Sequence, residues 1–505
     1  MSTDAPDAGA TPGRPAPVPP TALGDAPPTL TRGTIARYAM GSLGTGGFAT
    51  LPGLVLTYYL TDSLGVTAIL AGVIVTAAKV WDVVIDPVIG SLTDRDLARR
   101  GTRRRLMLLG SLSLPVLFAV TFAVPPALGP VGGAIWVLIA FLLTATAFSL
   151  FQVPYIALPA ELTDSYDART RLLTWRVVVL TFSILLFGAG GPILRGLTGN
   201  PTTGYLLMGV VSGVVIGVGM LIATGAAARS GRRTRDAAAD AGATVADEAE
   251  LVQESLSGRI AHDVDTAGDV EEGGIGATFR AAGATLRRSQ PFRALLATFV
   301  MQALATGLML AGAQYLATWV MRSEDAVTLL FVALIAPALI AAPAWGWAAR
   351  RFGKERAFGI ASVVFAVAAL STIGALWSPG TWIYGAVAVA GIAYAGMQSL
   401  PMAMLPDVIA ADAVTNGRGR AGAFGGVWTA GETTGFALGA TILAIVLAIT
   451  GYVSSTAAET VTQPPAALTG IVLSFSLVPS ILIGLSLLTL ARYRLRRDDI
   501  ESPDR

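Results

Sequence analysis

Along this chain apolar residues do not alternate with polar ones but dominate continuous stretches, among them 66–85, 106–125 and 471–490. A stretch of about 20 residues, rising ~1.5 Å per residue as a helix, crosses the ~30 Å of hydrocarbon in a bilayer. Backbone at that depth must satisfy its own hydrogen bonds, as a helix or as a closed barrel, and barrel strands alternate. The pattern therefore predicts helices. Twelve spans are expected, at 35–60, 66–92, 105–125, 131–158, 172–194, 204–227, 292–320, 327–349, 357–376, 382–409, 421–449 and 467–490. The fold class predicted is an all-α membrane protein of twelve transmembrane helices. A polar stretch, 228–291, separates six spans within 33–227 from six within 292–491, leaving tails at 1–32 and 492–505.

Composition sharpens the picture. Hydrophobic residues make up 53% of the chain and charged ones 13%, half the ~25% of a soluble domain. The chain has no Cys and one His, His262, which excludes a disulfide scaffold, a thiolate metal site and a histidine cluster. It also lacks a His–Glu zinc motif and a Gly-rich phosphate loop, so neither an enzyme nor a bound cofactor is expected. The first thirty residues hold eight of the 28 prolines and read as a disordered tail. The 228–291 linker holds 11 of the 33 acidic residues and reads as a largely disordered tether, with 252–260 able to form an amphipathic surface helix.

Positive charge follows topology. Alternate connections, starting with the N-terminal tail, carry 32 of the 35 Lys and Arg residues, and the intervening ones carry only Arg195 and Arg322. Cytoplasmic loops collect basic residues, so a multi-pass protein of the cell membrane with both termini cytoplasmic is expected. Basic residues confined to short loops do not form a nucleic-acid surface. The partners expected are lipid and a small solute, and a monomer is expected.

Two internal features carry chemistry. After the second span comes Gly90-Ser-Leu-Thr-Asp94-Arg95, then Arg99-Arg100-Gly101-Thr-Arg103-Arg104-Arg105. After the eighth comes Gly346-Trp-Ala-Ala-Arg350-Arg351-Phe-Gly353-Lys354-Glu355-Arg356. A duplicated six-helix unit explains this echo, and such repeats underlie many secondary transporters. The second feature is the set of ionisable residues well inside spans: Lys79, Asp82 and Asp86 in the second, Glu432 in the eleventh. Such groups cost about 2.5–3.5 kcal/mol each at the bilayer centre on insertion scales. At ~100° per residue, Lys79, Asp82 and Asp86 fall within an arc of about 60°. Two carboxylates beside one ammonium leave an excess negative charge, which a cation or a proton relieves. Internal salt bridging of Lys79 accounts for only one of the two acids. Glu432 lies in a small and polar patch with Thr433, and Trp81, Tyr155, Trp175, Trp319 and Trp428 are candidates to stack on a solute ring.

Lys79-Val-Trp81-Asp82-Val-Val-Ile85-Asp86-Pro87-Val-Ile-Gly90 resembles the second-helix signature of the glycoside–pentoside–hexuronide:cation symporters, a branch of the major facilitator superfamily. Val153-Pro154-Tyr155-Ile-Ala157 through Glu161 to Arg171-Leu172, with Arg176 beyond, is similar to that family's helix-four-to-five region. Met404-Leu-Pro406-Asp407, followed by Arg420-Ala-Gly422-Ala-Phe424 and Gly435-Phe-Ala-Leu-Gly439, resembles its helix-ten-to-eleven region. The resemblance covers roughly 33–491 and implies two pseudo-symmetric six-helix bundles, the major facilitator fold. It assigns Asp82, Asp86 and Ser149 to the coupling cation, Na+ or H+, and Arg176 to the sugar site, and Lys79 matches a basic residue that precedes the aspartates. Where melibiose-type members carry a helix-one acid and its helix-four partner, this chain has Ser42 and Gln152, and a helix-eleven lysine is replaced by Thr433 beside Glu432. Ile85 stands where some members have an amide that assists sodium, which tilts the choice of ion toward H+.

The function expected is cation-coupled symport of a sugar or glycoside by alternating access. The central site would be built from Ser42, Lys79, Asp82, Asp86, Gln152, Tyr155, Arg176, Gln398, Glu432 and Thr433. Contacts among Asp94, Arg103, Glu161, Arg350 and Arg351 are expected to close the cytoplasmic side. A carrier of amphipathic solutes and a metabolite-exporting antiporter are the transport alternatives; a channel or a membrane scaffold is the alternative outside transport.

Overall fold

The computed structural model describes residues 30–163, 166–252, 286, 289–416, 421–456, 461–493 and 495. Most of the expected N-terminal tail, most of the C-terminal one and most of the linker, including His262 and 253–260, lie outside the described residues. The helices are α1 (Arg32–Met40), α2 (Ser42–Asp62), α3 (Ala68–Arg100), α4 (Arg104–Thr121), α5 (Gly129–Leu162), α6 (Tyr166–Gly196) and α7 (Pro201–Val252). After the linker come α8 (Gln290–Tyr315), α9 (Ala326–Phe352), α10 (Lys354–Ser371), α11 (Trp382–Asn416), α12 (Ala421–Ile449), α13 (Pro465–Phe475) and α14 (Leu477–Leu490). By length and apolar content they supply 12 membrane spans among the described residues. The chain is a multi-pass all-helical membrane protein, as the pattern of apolar runs predicts.

The first and last spans are each broken in two. The first breaks between α1 and α2 at Gly41, where an added Cβ would meet Tyr155 Cε2 at 2.5 Å. The last breaks at Ser476, between α13 and α14. Elsewhere helices outrun the hydrocarbon. α3 continues to Arg100 and stops at Gly101, whose φ of 68° places it in the left-handed region and turns its N–H back to Leu97 O. Residues with a side chain are strained in that conformation, which is why helices so often end on glycine. The corresponding turn of the second half ends α9 at Gly353, also at positive φ, so both halves set a glycine of positive φ at this turn. α7 runs as helix to Val252, far into the stretch that composition assigns to a tether.

The two bundles meet along one half of their length, the half remote from the chain termini. There Gly72 of α3 lies so close to α12 that an added Cβ would sit 2.5 Å from Ala444 Cβ. The hydroxyls of Thr76 and Thr441 join the same pair of helices at 2.5 Å. Gly188 of α6 packs under the Phe331 ring of α9, and Thr328 donates to Ala189 O at 3.3 Å. Toward the termini the ion pairs lie within a bundle: Arg103 with Asp94 and Glu161 in the first, Lys354 with Asp407 in the second. The hydrogen bonds between Thr76 and Thr441 and from Thr328 to Ala189, which cross between the bundles, lie in the remote half. The molecule is closed at that end and parts toward the termini.

Candidate functional site

The site starts with α3. Its apolar run places Lys79, Asp82 and Asp86 on successive turns of one face, and the structure keeps them together. Lys79 Nζ lies 3.2 Å from Asp82 Oδ2. The other oxygen, Asp82 Oδ1, is buried without a hydrogen-bond partner. Asp86 feels both neighbours electrostatically and has the buried Ser149 hydroxyl of α5 within hydrogen-bonding reach. The three residues expected to hold the cation, Asp82, Asp86 and Ser149, thus converge between α3 and α5. One ammonium faces two carboxylates. A buried acceptor without a donor forfeits about 1–3 kcal/mol, so the site is chemically incomplete without a positively charged or hydrogen-donating guest.

Beside it, α2, α5 and α6 contribute a polar knot. The Tyr155 hydroxyl donates to Tyr38 O at 2.9 Å and shares a hydrogen bond with Ser42 Oγ at 3.2 Å. Tyr155 is fully buried, stacked 4.7 Å from Tyr38 and 5.1 Å from Phe151, so it is a packing residue whose ring is already covered. The Arg176 guanidinium sits 5.6 Å from the Tyr155 ring centre, and its Nε is buried without a partner. Gln152 Oε1 accepts from Thr45 at 2.8 Å, leaving its amide nitrogen as a donor. Ser42, Tyr155 and Arg176 are brought together, with Gln152 one turn before Tyr155 on the same helix. Trp81 donates to Thr146 at 2.8 Å and, with Thr76 and Thr441, lines an apolar slot of about 730 Å³ between α3, α5 and α12.

The second bundle presents Gln398 and Glu432. Gln398 Nε2 donates to the Tyr394 hydroxyl at 3.1 Å, and Glu432 acts electrostatically on that same tyrosine. Glu432 and Thr433 are half-buried on α12. α12 reaches this position because Gly435 and Gly439 let it cross α8 closely: a Cβ on Gly439 would lie 2.4 Å from Leu308 N. Small residues at such spacing are the usual means of close helix contact in membranes. Trp428 is buried and stacked on Phe299 at 4.3 Å, with its indole N–H unpartnered. Trp175 is exposed, and Trp319 lies at the closed end.

The residues expected at the gate divide. Arg103 bridges Asp94 at 2.8 Å and Glu161 at closer range, tying α3, α4 and α5 of one bundle. Arg350 and Arg351 lie exposed at the end of α9 on the other bundle. The structure does not bring the two groups together.

A cluster at the closed end escaped sequence reasoning. Asp62 accepts from Tyr452 at 2.5 Å and from Trp319 Nε1 at 3.2 Å, and also from its neighbour Thr61. Arg195, with a side chain only 5% exposed, pairs with Glu324 at 3.1 Å and contacts Tyr205 at 3.2 Å. One signal was present: Arg195 is one of just two basic residues on connections otherwise free of them.

The family profile described as MFS/sugar transport protein matches residues 37–256 and 262–497. The uncharacterized symporter YjmB of Bacillus subtilis (strain 168) is 28% identical over 176 residues, 34% of this chain and 38% of that protein. YagG of Escherichia coli (strain K12), provisionally named a glycoside/cation symporter, is 28% identical over 185 residues, 35% of this chain and 40% of that protein. The chain thus spans under half the length of these curated relatives. A solved structure of the proton dependent oligopeptide transporters superposes with a TM-score of 0.60 at 12% identity, covering 91% of this chain and 98% of that one, a likeness of fold alone. Twelve spans in two bundles among the described residues and a profile match along nearly the whole helical region agree with the motifs: the chain belongs to the MFS/sugar transport protein family.

Proposed function

We propose that the protein is a cation-coupled symporter that moves a small sugar or glycoside by alternating access. The observation that carries this reading is the buried, unpartnered Oδ1 of Asp82, next to Asp86 and Ser149, with Lys79 able to neutralise only one of the two acids. A monovalent cation or a proton completes that site. The ion is Na+ or H+; Ile85 adds no oxygen ligand on this stretch of α3, which favours the proton, since a proton needs only one carboxylate oxygen. The solute sits between the bundles, with Arg176 and Gln152 on one side and Gln398, Glu432 and Thr433 on the other; Ser42, expected to line it, is fully buried against Tyr155 and lies behind them. The ion drives transport through unequal affinity for the two states, because a ligand moves an equilibrium only by such a difference. With both termini cytoplasmic in the cell membrane, the form described is the inward-open one. Asp94, Arg103 and Glu161 then meet Arg350 and Arg351 in the opposite state.

The test is uptake into proteoliposomes of radiolabelled methyl glycosides and hexuronates under an imposed Na+ or H+ gradient. Intact protein is expected to accumulate one of them under one gradient, while Asp82→Asn and Asp86→Asn insert normally and lose gradient-driven accumulation. Accumulation that persists in both variants overturns the reading.

The apolar slot beside Trp81 favours a second reading, an amphipathic solute that enters sideways from the bilayer. Competition by alkyl glycosides that strengthens with chain length supports it; competition independent of chain length rules it out.

A further inference from the structure

Asp62 closes α2 at the end remote from the termini, and local helix chemistry does not ask for an acid there. Negative charge in the last turn opposes the helix dipole. The groups around it are Tyr58 and Thr61 on its own helix, Arg195 of α6, Tyr205 of α7, Tyr315, Trp319 and Glu324 in and after α8, and Tyr452 after α12. The one cation of this set, Arg195, has its own acid in Glu324. Asp62 is therefore held by neutral donors. Tyr452 and Trp319 both donate to its Oδ1, at 2.5 and 3.2 Å, and both belong to the other bundle. Thr61 donates to Oδ2 and is itself bonded at 2.7 Å to the Tyr315 hydroxyl, again across the bundles. Backbone continues the seam: Ser455 N donates to Thr61 O at 2.9 Å, and Leu64 bridges Thr456.

We propose that Asp62 is a positioning residue for transport: it sets the balance between closed and open at this end of the molecule, because its hydrogen-bond donors from the second bundle leave together when the bundles part. Hydrogen bonds to an ionised acceptor are about twice as strong as neutral ones, so Asp62 in its ionised form favours the closed end in a way that an amide does not. This rests on the alternating-access reading of the same molecule.

The chain has no native Cys, so two introduced thiols are the only ones to carry spin labels. Leu197→Cys and Ser378→Cys lie exposed on the closed end of the first and second bundles. Distances between the labels are measured by double electron–electron resonance in nanodiscs, without solute or gradient. Asp62→Asn is expected to enlarge the long-distance population about tenfold, the shift from losing roughly one charge-assisted hydrogen bond. Tyr452→Phe, which deletes one donor and no charge, is expected to shift it in the same direction. In the Asp62→Asn background Tyr452→Phe should add little, because the two share one interaction. Unchanged distances in both single variants, or an undiminished Tyr452→Phe effect in the Asn background, overturn the proposal. Because no transport is measured, its failure leaves the symport reading standing. Loss of coupling in the Asp82 and Asp86 variants is likewise read separately.

Discussion

At the scale of single residues, what matters is which charges have partners. Arg103 is 12% exposed and holds two acids, one of them Glu161 at 17% exposure. Removing it takes a counter-charge away from the partly buried Glu161, which is costlier than never having had the pair. Arg103→Gln is expected to lower the unfolding temperature in detergent, and adding Glu161→Gln to restore part of it, with a coupling of about 1–3 kcal/mol in the double-mutant cycle; strict additivity would show that the two side chains act independently. Lys79, Asp82 and Asp86 were legible in the sequence because a charge inside an apolar run has no innocent local explanation. Ser149 and Arg176 were placed only through resemblance, since a lone hydroxyl or a basic residue near a span end is ordinary. Asp62 fell just beyond its expected span, where polar residues are normal, and its donors come from positions 257 and 390 residues further along. No local pattern encodes such a meeting.

At the scale of helices, the existence and order of the spans follow from the apolar runs, while their breaks and overruns do not. The interruption at Gly41 lies against Tyr155, a residue more than a hundred positions away, and that at Ser476 comes three residues before Pro479, which has no N–H to continue the helix. The crossing of α8 and α12 has a sharper consequence. With Leu308 N 2.4 Å from the position of an added Cβ, Gly439→Val must push the helices apart. The expected cost is about 1–3 kcal/mol, seen as a lower unfolding temperature, together with weaker binding at the proposed solute site, because Glu432 and Thr433 ride on the displaced helix. Gly190, which has open space around it, serves as the control: Gly190→Ala should leave both readouts unchanged.

At the scale of the molecule, the two halves and their shared loop chemistry were readable from the echo around Gly101 and Gly353, whereas which end is closed was not. Closure is decided by pairs such as Thr76 with Thr441 and Asp62 with Tyr452, each joining halves of the chain that look independent in sequence. The biased loops also predict sidedness. Trypsin added to inside-out vesicles should cut the Arg-rich segment 492–505, while right-side-out vesicles protect it; the reverse result would invert the orientation assigned to the open end. One feature reaches beyond the membrane altogether. α7 is 52 residues long, of which 27 form its apolar span, and at ~1.5 Å per residue it measures about 78 Å against ~30 Å of hydrocarbon. A rod anchored in one half and projecting this far converts a small tilt of that half into a large sweep of its tip, so a fluorophore carried there would give an amplified optical readout of each turnover.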